Sequence, residues 1–290
     1  MDGWTFLQQL FNGLSVASIY MLVGVGITLV FGLTGIVNFA HGEIMMLGAY
    51  ALLVVAPDGG PMFIVGLVAA VTFVCLVSYA MERGLFRFTL KRPINGFLVS
   101  LGLILALQNG LIEYWGTDQQ NVVAPFERVW QMGGTRISAE RLFIIGITAV
   151  IFVTFSLFLA HTRVGTALRA SAMDRETASL MAVPVPRLIT LTFVIGGALA
   201  AIGGVLLATI YPISPQLGST YVVKGFAIAL VGGLGNVAGA MIAALILGVT
   251  EALNAGLGYG AWTDAISFAL MIVILLVRPQ GLLRGTEAQY

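Results

Sequence analysis

Two stretches of this sequence gather side chains that could do chemistry. In Thr162–Arg187, TRVGTALRASAMDRETASLMAVPVPR, the charges of Arg169, Asp174, Arg175 and Glu176 interrupt small and apolar residues. In NFAHGE, an amide (Asn38), an imidazole (His41) and a carboxylate (Glu43) fall close together. Neither is a catalytic constellation, because no nucleophile is spaced with a base and a group to orient it. His161, beside Arg163, has no second metal ligand nearby. A phosphate-cradling loop requires a lysine after a glycine-rich turn, but Lys91 and Lys224 follow Leu90 and Val223. The expectation is a chain that is not an enzyme and binds no cofactor, so that any ATP is handled by separate subunits.

What these residues can do is dock and gate. In the first stretch, Val164–Met173 carries helix-forming Ala and Leu, and Asp174 can cap a second short helix over Arg175–Val183. Glu176 falls in that helix's first turn, where the dipole favours an anion, and Pro184 and Pro186 end it. Gly165, Ala167, Ala170, Ala172, Ala178 and Ala182 keep the profile low enough for a partner's backbone to approach. The other reading is a polar loop whose arginines only fix orientation, and spacing does not choose between the two. In the second stretch Asn38 can cap the following helix, with His41, Gly42 and Glu43 in its first turns. Glu43 at such a start is stabilised by the dipole and, at an interface, need not be buried. A well-capped helix start and a gate both fit. Asn109 and Glu113 lie one turn apart in a later apolar run, and Glu251 lies in another. Ionisable groups within spans face the bundle interior or a wet cavity, although Glu113 is close enough to a span end to snorkel.

The elements that position these groups are membrane spans. Of 290 residues, 59% are hydrophobic, 9% are charged and 36 are glycine, against roughly 25% charged in soluble domains. Lipid is therefore the main solvent, and a net charge of +1 indicates neither nucleic acid nor an acidic surface as a partner. Cys75, within an apolar run, acts as a small hydrophobe. The start MDGWTFLQQL has Asp2 and no basic residue, so the first span is expected to stay in the mature protein. A spanning helix needs about 20 apolar residues. Such runs place spans at 11–31, 39–56, 62–81, 94–114, 141–160, 188–210 and 263–277, with a turn at Asp58–Pro61 and a polar interfacial loop over Trp115–Glu140. Val222–Val231, about 15 Å as a helix, is too short to cross. It reads as a half-helix broken at Gly232–Asn236, with Ala238–Leu253 returning. The sum is an all-α polytopic bundle of about eight to nine spanning or half-spanning segments in one domain over 1–290.

Putting 82–93, 162–187 and the tail on the cytoplasmic side collects ten of the fourteen Lys and Arg. Arg128, Arg136, Arg141 and Lys224 stay outside, with the N-terminus outside and the C-terminus in the cytoplasm. This needs an odd number of crossings, hence a true reversal at Gly232–Asn236. Asn38-Phe-Ala-His-Gly and Asn236-Val-Ala-Gly each set an Asn after a glycine-rich turn and before an apolar helix, a weak internal echo of paired interrupted segments.

The pattern Gly165, Ala167, Arg169-Ala170, Asp174, Ala178, then Thr192-Phe193 and Leu199-Ala200 to Gly204-Val205-Leu206, resembles the coupling loop of ABC-importer permeases. With Gly35–Glu43, Val231–Asn236 to Gly239-Ala240, and Arg278–Leu282, it is similar through the whole chain to the branched-chain amino acid (LivH-like) permease family. Ala182 departs from the family's usual Gly. The resemblance implies a type II-like importer permease fold in a bacterial inner membrane. It also implies a second homologous permease, as heterodimer or homodimer, two cytoplasmic ABC ATPases and an external substrate-binding protein. On this reading Gly165, Arg169, Ala170, Asp174, Arg175 and Ala178 couple to the ATPases. Asn38, His41, Gly42, Glu43, Gly235, Asn236 and Glu251 belong to the path or gate for branched-chain amino acids or related small solutes. The competing class is an ion-coupled secondary transporter or channel, with Glu43, Glu113 or Glu251 relaying ions.

Overall fold

Lipid offers the backbone no hydrogen bonds, so a chain this apolar must satisfy its amides within helices. The computed structural model describes residues 3–126, 128–132 and 134–283; Asp2, Glu127 and Arg284, which entered the charge readings, lie outside them. In chain order the helices are α1 (Gly3–Thr34), α2 (His41–Val55), α3 (Met62–Gly84), α4 (Pro93–Trp115), α5 (Ala139–His161), α6 (Arg163–Met173), α7 (Arg175–Leu180), α8 (Val185–Ile210), α9 (Leu217–Gly232), α10 (Val237–Gly256) and α11 (Thr263–Val277). Among the described residues seven are long and apolar enough to cross a membrane, α11 with the 3-10 turn that precedes it from Gly260, whereas α2 and α9, with 15 and 16 residues, are not. At 1.5 Å per residue they rise only about 22–24 Å, against a hydrocarbon core of ~30 Å. The half-helix expected at Val222–Val231 therefore exists, but it begins five residues earlier, at Leu217. The expected full span at 39–56 is a second short helix.

Helices α1 and α8 form the centre of the bundle, and most of each is buried. Small residues let them pack closely: a side chain at Gly204 of α8 would strike the Met45 carbonyl of α2, and one at Gly48 of α2 would strike Ala201. Backbones that approach this far gain van der Waals contact, which replaces the hydrophobic drive that lipid does not provide between helices. The same contacts fix directions. Gly203 meets Leu22 and Val23 while Gly196 meets Gly26 and Val30, so α8 runs antiparallel to α1. Gln9 meets Gly256 and Gly32 meets Gly235, so α10 is antiparallel to α1 as well. Gly232 abuts Gly239 and Ala240, so the chain does reverse at 233–236, as the charge count required.

Three local expectations need correction. The Trp115–Glu140 stretch is not only loop: strands β1 (Val129–Met132) and β2 (Thr135–Ser138) pair antiparallel. Four-residue strands carry too little alternation to read from sequence, and this hairpin is held by the start of α1. Gln8 donates to the Arg136 carbonyl and accepts from its N–H, both at 2.6 Å, and the Thr135 hydroxyl donates to the Trp4 carbonyl at 3.1 Å. Pro186 does not end a helix but lies in the first turn of α8, where a missing N–H costs nothing. And α7 stops at Leu180, not Val183. The Ala182 N–H donates to the Ser179 carbonyl and the Val183 N–H to the Ala178 carbonyl, with Ala182 at φ 60°. This is a Schellman closure, whose left-handed position favours glycine.

The alanine at 182 therefore carries strain that a glycine would not. Ala182→Gly should stabilise the end of α7 by about 1 kcal/mol, read as slower amide hydrogen exchange over 175–183. Unchanged or faster exchange would show that the turn is not strained.

Candidate functional site

The linker 35–40 does not lead straight out of α1 but folds back beside it. His41 consequently lies level with the middle of α1, wedged between Gly26 of α1 and Gly196 of α8. From there α2 runs in the same sense as α8, since His41 is near Gly196 and Gly48 near Ala201. Helix α9 runs the other way, with Tyr20 beside Lys224 and Gly24 beside Ile228 on α1. The two short helices thus point their N-termini at each other within the bundle. They touch at Gly42 and Gly218, where a side chain on Gly42 would collide with the Gly218 carbonyl.

Glu43 stands at this junction and is fully buried, not interfacial as its place near a helix start suggested. Gln108 of α4 donates to its Oε1 at 2.9 Å and to the Ser219 hydroxyl at 2.6 Å, and that hydroxyl lies 3.3 Å from the same Oε1. Oε2 has no partner. The partial positive charges of two helix N-termini favour a carboxylate here. Asn38 does not cap α2 either. Its Oδ1 accepts from the Ala40 N–H at 3.1 Å in a tight turn, and α2 has no side-chain cap. In the linker before α2, Phe39 packs against Phe97 of α4 and Phe226 of α9, with ring centroids 5.6 and 4.6 Å apart. Its N–H donates to the Ser100 hydroxyl.

The expected echo between Asn38 and Asn236 dissolves on inspection. Asn236 does cap, accepting from the Gly239 N–H at 2.9 Å, but it starts the 20-residue α10. Symmetry of role lies between α2 and α9. Gly235, at φ 84°, sits against Gly32 at the far end of α1 from the hairpin. There the C-terminal segment binds the α9 end, with the Leu282 N–H donating to the Val231 carbonyl at 2.7 Å.

Glu251 lies in a separate cluster. Lys224, counted on the external side and within the half-helix, lies on α9, where its ammonium meets Glu251 Oε1 at 3.0 Å, Asp264 at 2.9 Å and the Tyr20 hydroxyl at 2.9 Å. Tyr20 in turn donates to Glu251 Oε2 at 2.6 Å. One cation thus ties α1, α9, α10 and α11 together, and Glu251 is fully engaged. The exposed Glu113 and Asn109 do not join it; Asn109 donates to its own helix at Leu105. Among the described residues no group of three His, Cys, Asp or Glu could hold a metal ion.

Between α5 and α8, α6 and α7 form the anticipated helical pair. Thr162 caps α6, accepting from the Gly165 N–H at 2.9 Å, and Asp174 caps α7, accepting from the Glu176 and Thr177 N–H groups. Hydrogen bonds from the Thr177 hydroxyl and N–H, and from the Glu176 N–H, hold the Asp174 carboxyl below its ordinary range. A depressed pKa means the cap is intact above that range and is lost as pH falls through it. Of the small residues expected to keep the profile low, only Ala182 is exposed, while Ala167, Ala170 and Ala172 are half-buried. Gly165 is buried against the Phe158 and Leu159 carbonyls of α5, and Ala178 is buried too. Facing out are Arg169, Asp174 and Glu176, together with Met173, Leu180 and Met181, of which the last three are 70–85% exposed. The sequence reading passed over those three apolar residues. Arg175 turns inward, and its guanidinium approaches to 3.4 Å of where a Gly35 side chain would begin. Gly35, at φ 66°, opens the linker to α2.

A bundle of seven apolar helices long enough to cross a membrane, two shorter ones that meet within it and a helical pair at one end is the architecture of a multi-pass membrane permease. The chain belongs to the family described as branched-chain amino acid transport system / permease component, whose model matches residues 9–275. It is 35% identical to the high-affinity branched-chain amino acid transport system permease protein LivH of Escherichia coli K12, over 98% of this chain and 97% of that one. With BraD, the corresponding permease protein of Pseudomonas aeruginosa, identity is 34% over the same shares. Among solved structures it resembles PsaBC from Streptococcus pneumoniae in complex with Fab, with a TM-score of 0.54, 14% identity, and coverage of 95% of this chain and 92% of that one. That likeness concerns fold alone and agrees with a type II-like importer permease.

The Lys224 cluster yields a direct test. Removing one partner of a buried ion pair costs about 3–5 kcal/mol, whereas removing both is often nearly neutral. Lys224→Met should lower the unfolding midpoint of the detergent-purified protein markedly, and adding Glu251→Gln should restore most of the loss. A double variant no better than the single one would mean the pair is not what holds α9 to α10.

Proposed function

We propose that this chain is the pore-forming subunit of an ATP-binding-cassette importer for branched-chain or other hydrophobic amino acids, or related small solutes, working by alternating access. Two such permeases, this one with a homologous partner or a second copy, would enclose the path. Two cytoplasmic ATPases would supply energy, and an external binding protein would deliver cargo. The cargo follows from the relatives named above. The basic-residue asymmetry supports an N-terminus outside and a C-terminus in the cytoplasm, which puts α6 and α7 on the ATPase side. All 290 residues then serve one permease domain.

The observation that carries this reading is the link from α7 to the half-helix junction. An amphipathic pair with exposed Met173, Leu180 and Met181 inside a charged rim suits a groove on a partner. Arg175 connects that pair to Gly35, and the linker it opens leads to Phe39, His41 and Glu43. Ile36 within the linker packs against Gly96 of α4. Displacing α7 would therefore move the start of α2 together with α4, the two elements that flank Glu43. ATP drives such a change only if the ATP-bound partner prefers one orientation of α7, since only differential affinity shifts an equilibrium.

Arg169→Glu combined with Leu180→Asp alters the outward face and leaves the Asp174 cap intact. This variant should lose the ATPases in a pull-down while remaining inserted in the membrane, and ATP-dependent uptake in proteoliposomes should go with them. Full co-purification would contradict the docking assignment. Uptake that follows an ion gradient without ATPases would replace the importer with a secondary transporter.

A further inference from the structure

Glu43 is unusual among the buried charges of this bundle. Glu82, whose Oε1 also lacks a partner, accepts from the Thr190 hydroxyl and lies 3.8 Å from the Arg83 cation, and Glu251 is paired with Lys224, so what sets Glu43 apart is the lack of a cation. Among the described residues no ion pair reaches Glu43, and its Oε2 accepts nothing. A carboxylate withdrawn from water with a free oxygen and no cation is costly. Helix dipoles offset part of that cost, but they do not fill the vacant acceptor. What would fill it is a cationic donor that visits the site.

The surroundings narrow the visitor. Gln108 and Ser219, the groups on the other oxygen, are only half-buried, so the polar patch opens toward the side of the bundle where α4 stands largely exposed. A side chain on Gly218 would come within 2.7 Å of the Glu43 carboxyl, so a small shift of α9 from α2 uncovers Oε2. Beyond the patch lies an apolar floor. Phe39 is four residues before Glu43, and Phe226 is seven residues, or two turns and ~10 Å, beyond Ser219. Carboxylate and aromatic cluster are carried by the same three elements: α2 with its linker, α4 and α9. The rings are too far from the carboxylate for one short solute to meet both, so the match rests on the carboxylate, which calls for a cationic donor. Broken helices that meet at mid-bundle are also where transporters commonly place cargo.

The geometry points to Glu43 as the subsite for the α-ammonium of the translocated solute, with Gln108 and Ser219 as its polar rim. The assignment rests on the proposed function, since it takes the cargo to be a hydrophobic amino acid, and it deepens that reading by placing selectivity within the permease. The carboxylate binds and releases the ammonium without covalent change.

The test uses the assembled importer in proteoliposomes and in detergent. Glu43→Gln keeps the shape and the bond from Gln108 but removes the charge. L-Leucine uptake at low concentration should fall about tenfold or more, the scale of a lost charged hydrogen bond, while ATPase stimulation by the loaded binding protein persists. Saturation-transfer NMR on the assembled importer without binding protein should show wild type favouring L-leucine over 4-methylpentanoate, its counterpart without the amino group, and Glu43→Gln losing that preference. Uptake by Glu43→Gln at the wild-type rate, equal saturation of the two ligands by wild type, or loss of ATPase stimulation along with uptake would each overturn the assignment. Wild type that carries no amino acid would instead overturn the functional reading.

Discussion

A helix that ends inside a bilayer leaves up to four backbone N–H groups without partners, in a medium that offers none. This chain ends two helices that way. Both N-termini turn toward each other at Gly42 and Gly218 with Glu43 between them, so that two positive helix ends lie beside one carboxyl, which accepts from the Gln108 and Ser219 side chains and not from a backbone N–H. The rest of the architecture follows from that choice. The linker 35–40 must fold back along α1 to deliver His41 to mid-bundle, α8 must be small at Gly196 and Gly204 to accept α2, and α4 must supply Gln108.

The second constraint is what holds such a junction without making it rigid. Close contact between small residues dominates the inner bundle, and it depends on shape more than on specific bonds. Polar ties are kept for places where helices must not part. Lys224 joins four helices in one cluster, and the C-terminal segment fixes the α9 end through the Val231 carbonyl. By contrast, α2 and α9 are joined across their N-termini only by the Glu43–Ser219 contact and glycine packing. The far end and flank of α9 are thus held by polar ties, while its start is held by close packing and by the Gln120–Ile213 backbone pair just before it.

Arg175 places its guanidinium beside Gly35, where the linker to α2 begins. The charged rim of α6 and α7 was legible as a pattern, but its division of labour was not. Gly165 and Ala178 face inward because α6 must lie across the last turn of α5, and the exposed apolar residues are the longer Met173, Leu180 and Met181. The left-handed turn at Ala182 is one that a glycine would take without strain.

Hydropathy is local and additive, so the amino-acid sequence alone determined the spans other than 39–56, the reversal at Gly232–Asn236 and the cap at Asp174. The last span was expected at 263–277 and is found at Thr263–Val277. Motif likeness along the chain was enough to indicate the family. Tertiary structure alone decided that Glu43 is sealed within the bundle and paired with Gln108, that Lys224 belongs to Glu251, and that α2 answers to α9. Each depends on contacts between residues 27 to 204 positions apart. A hydropathy window sees that a residue is polar, but the depth at which it comes to rest is set by where a distant helix happens to end.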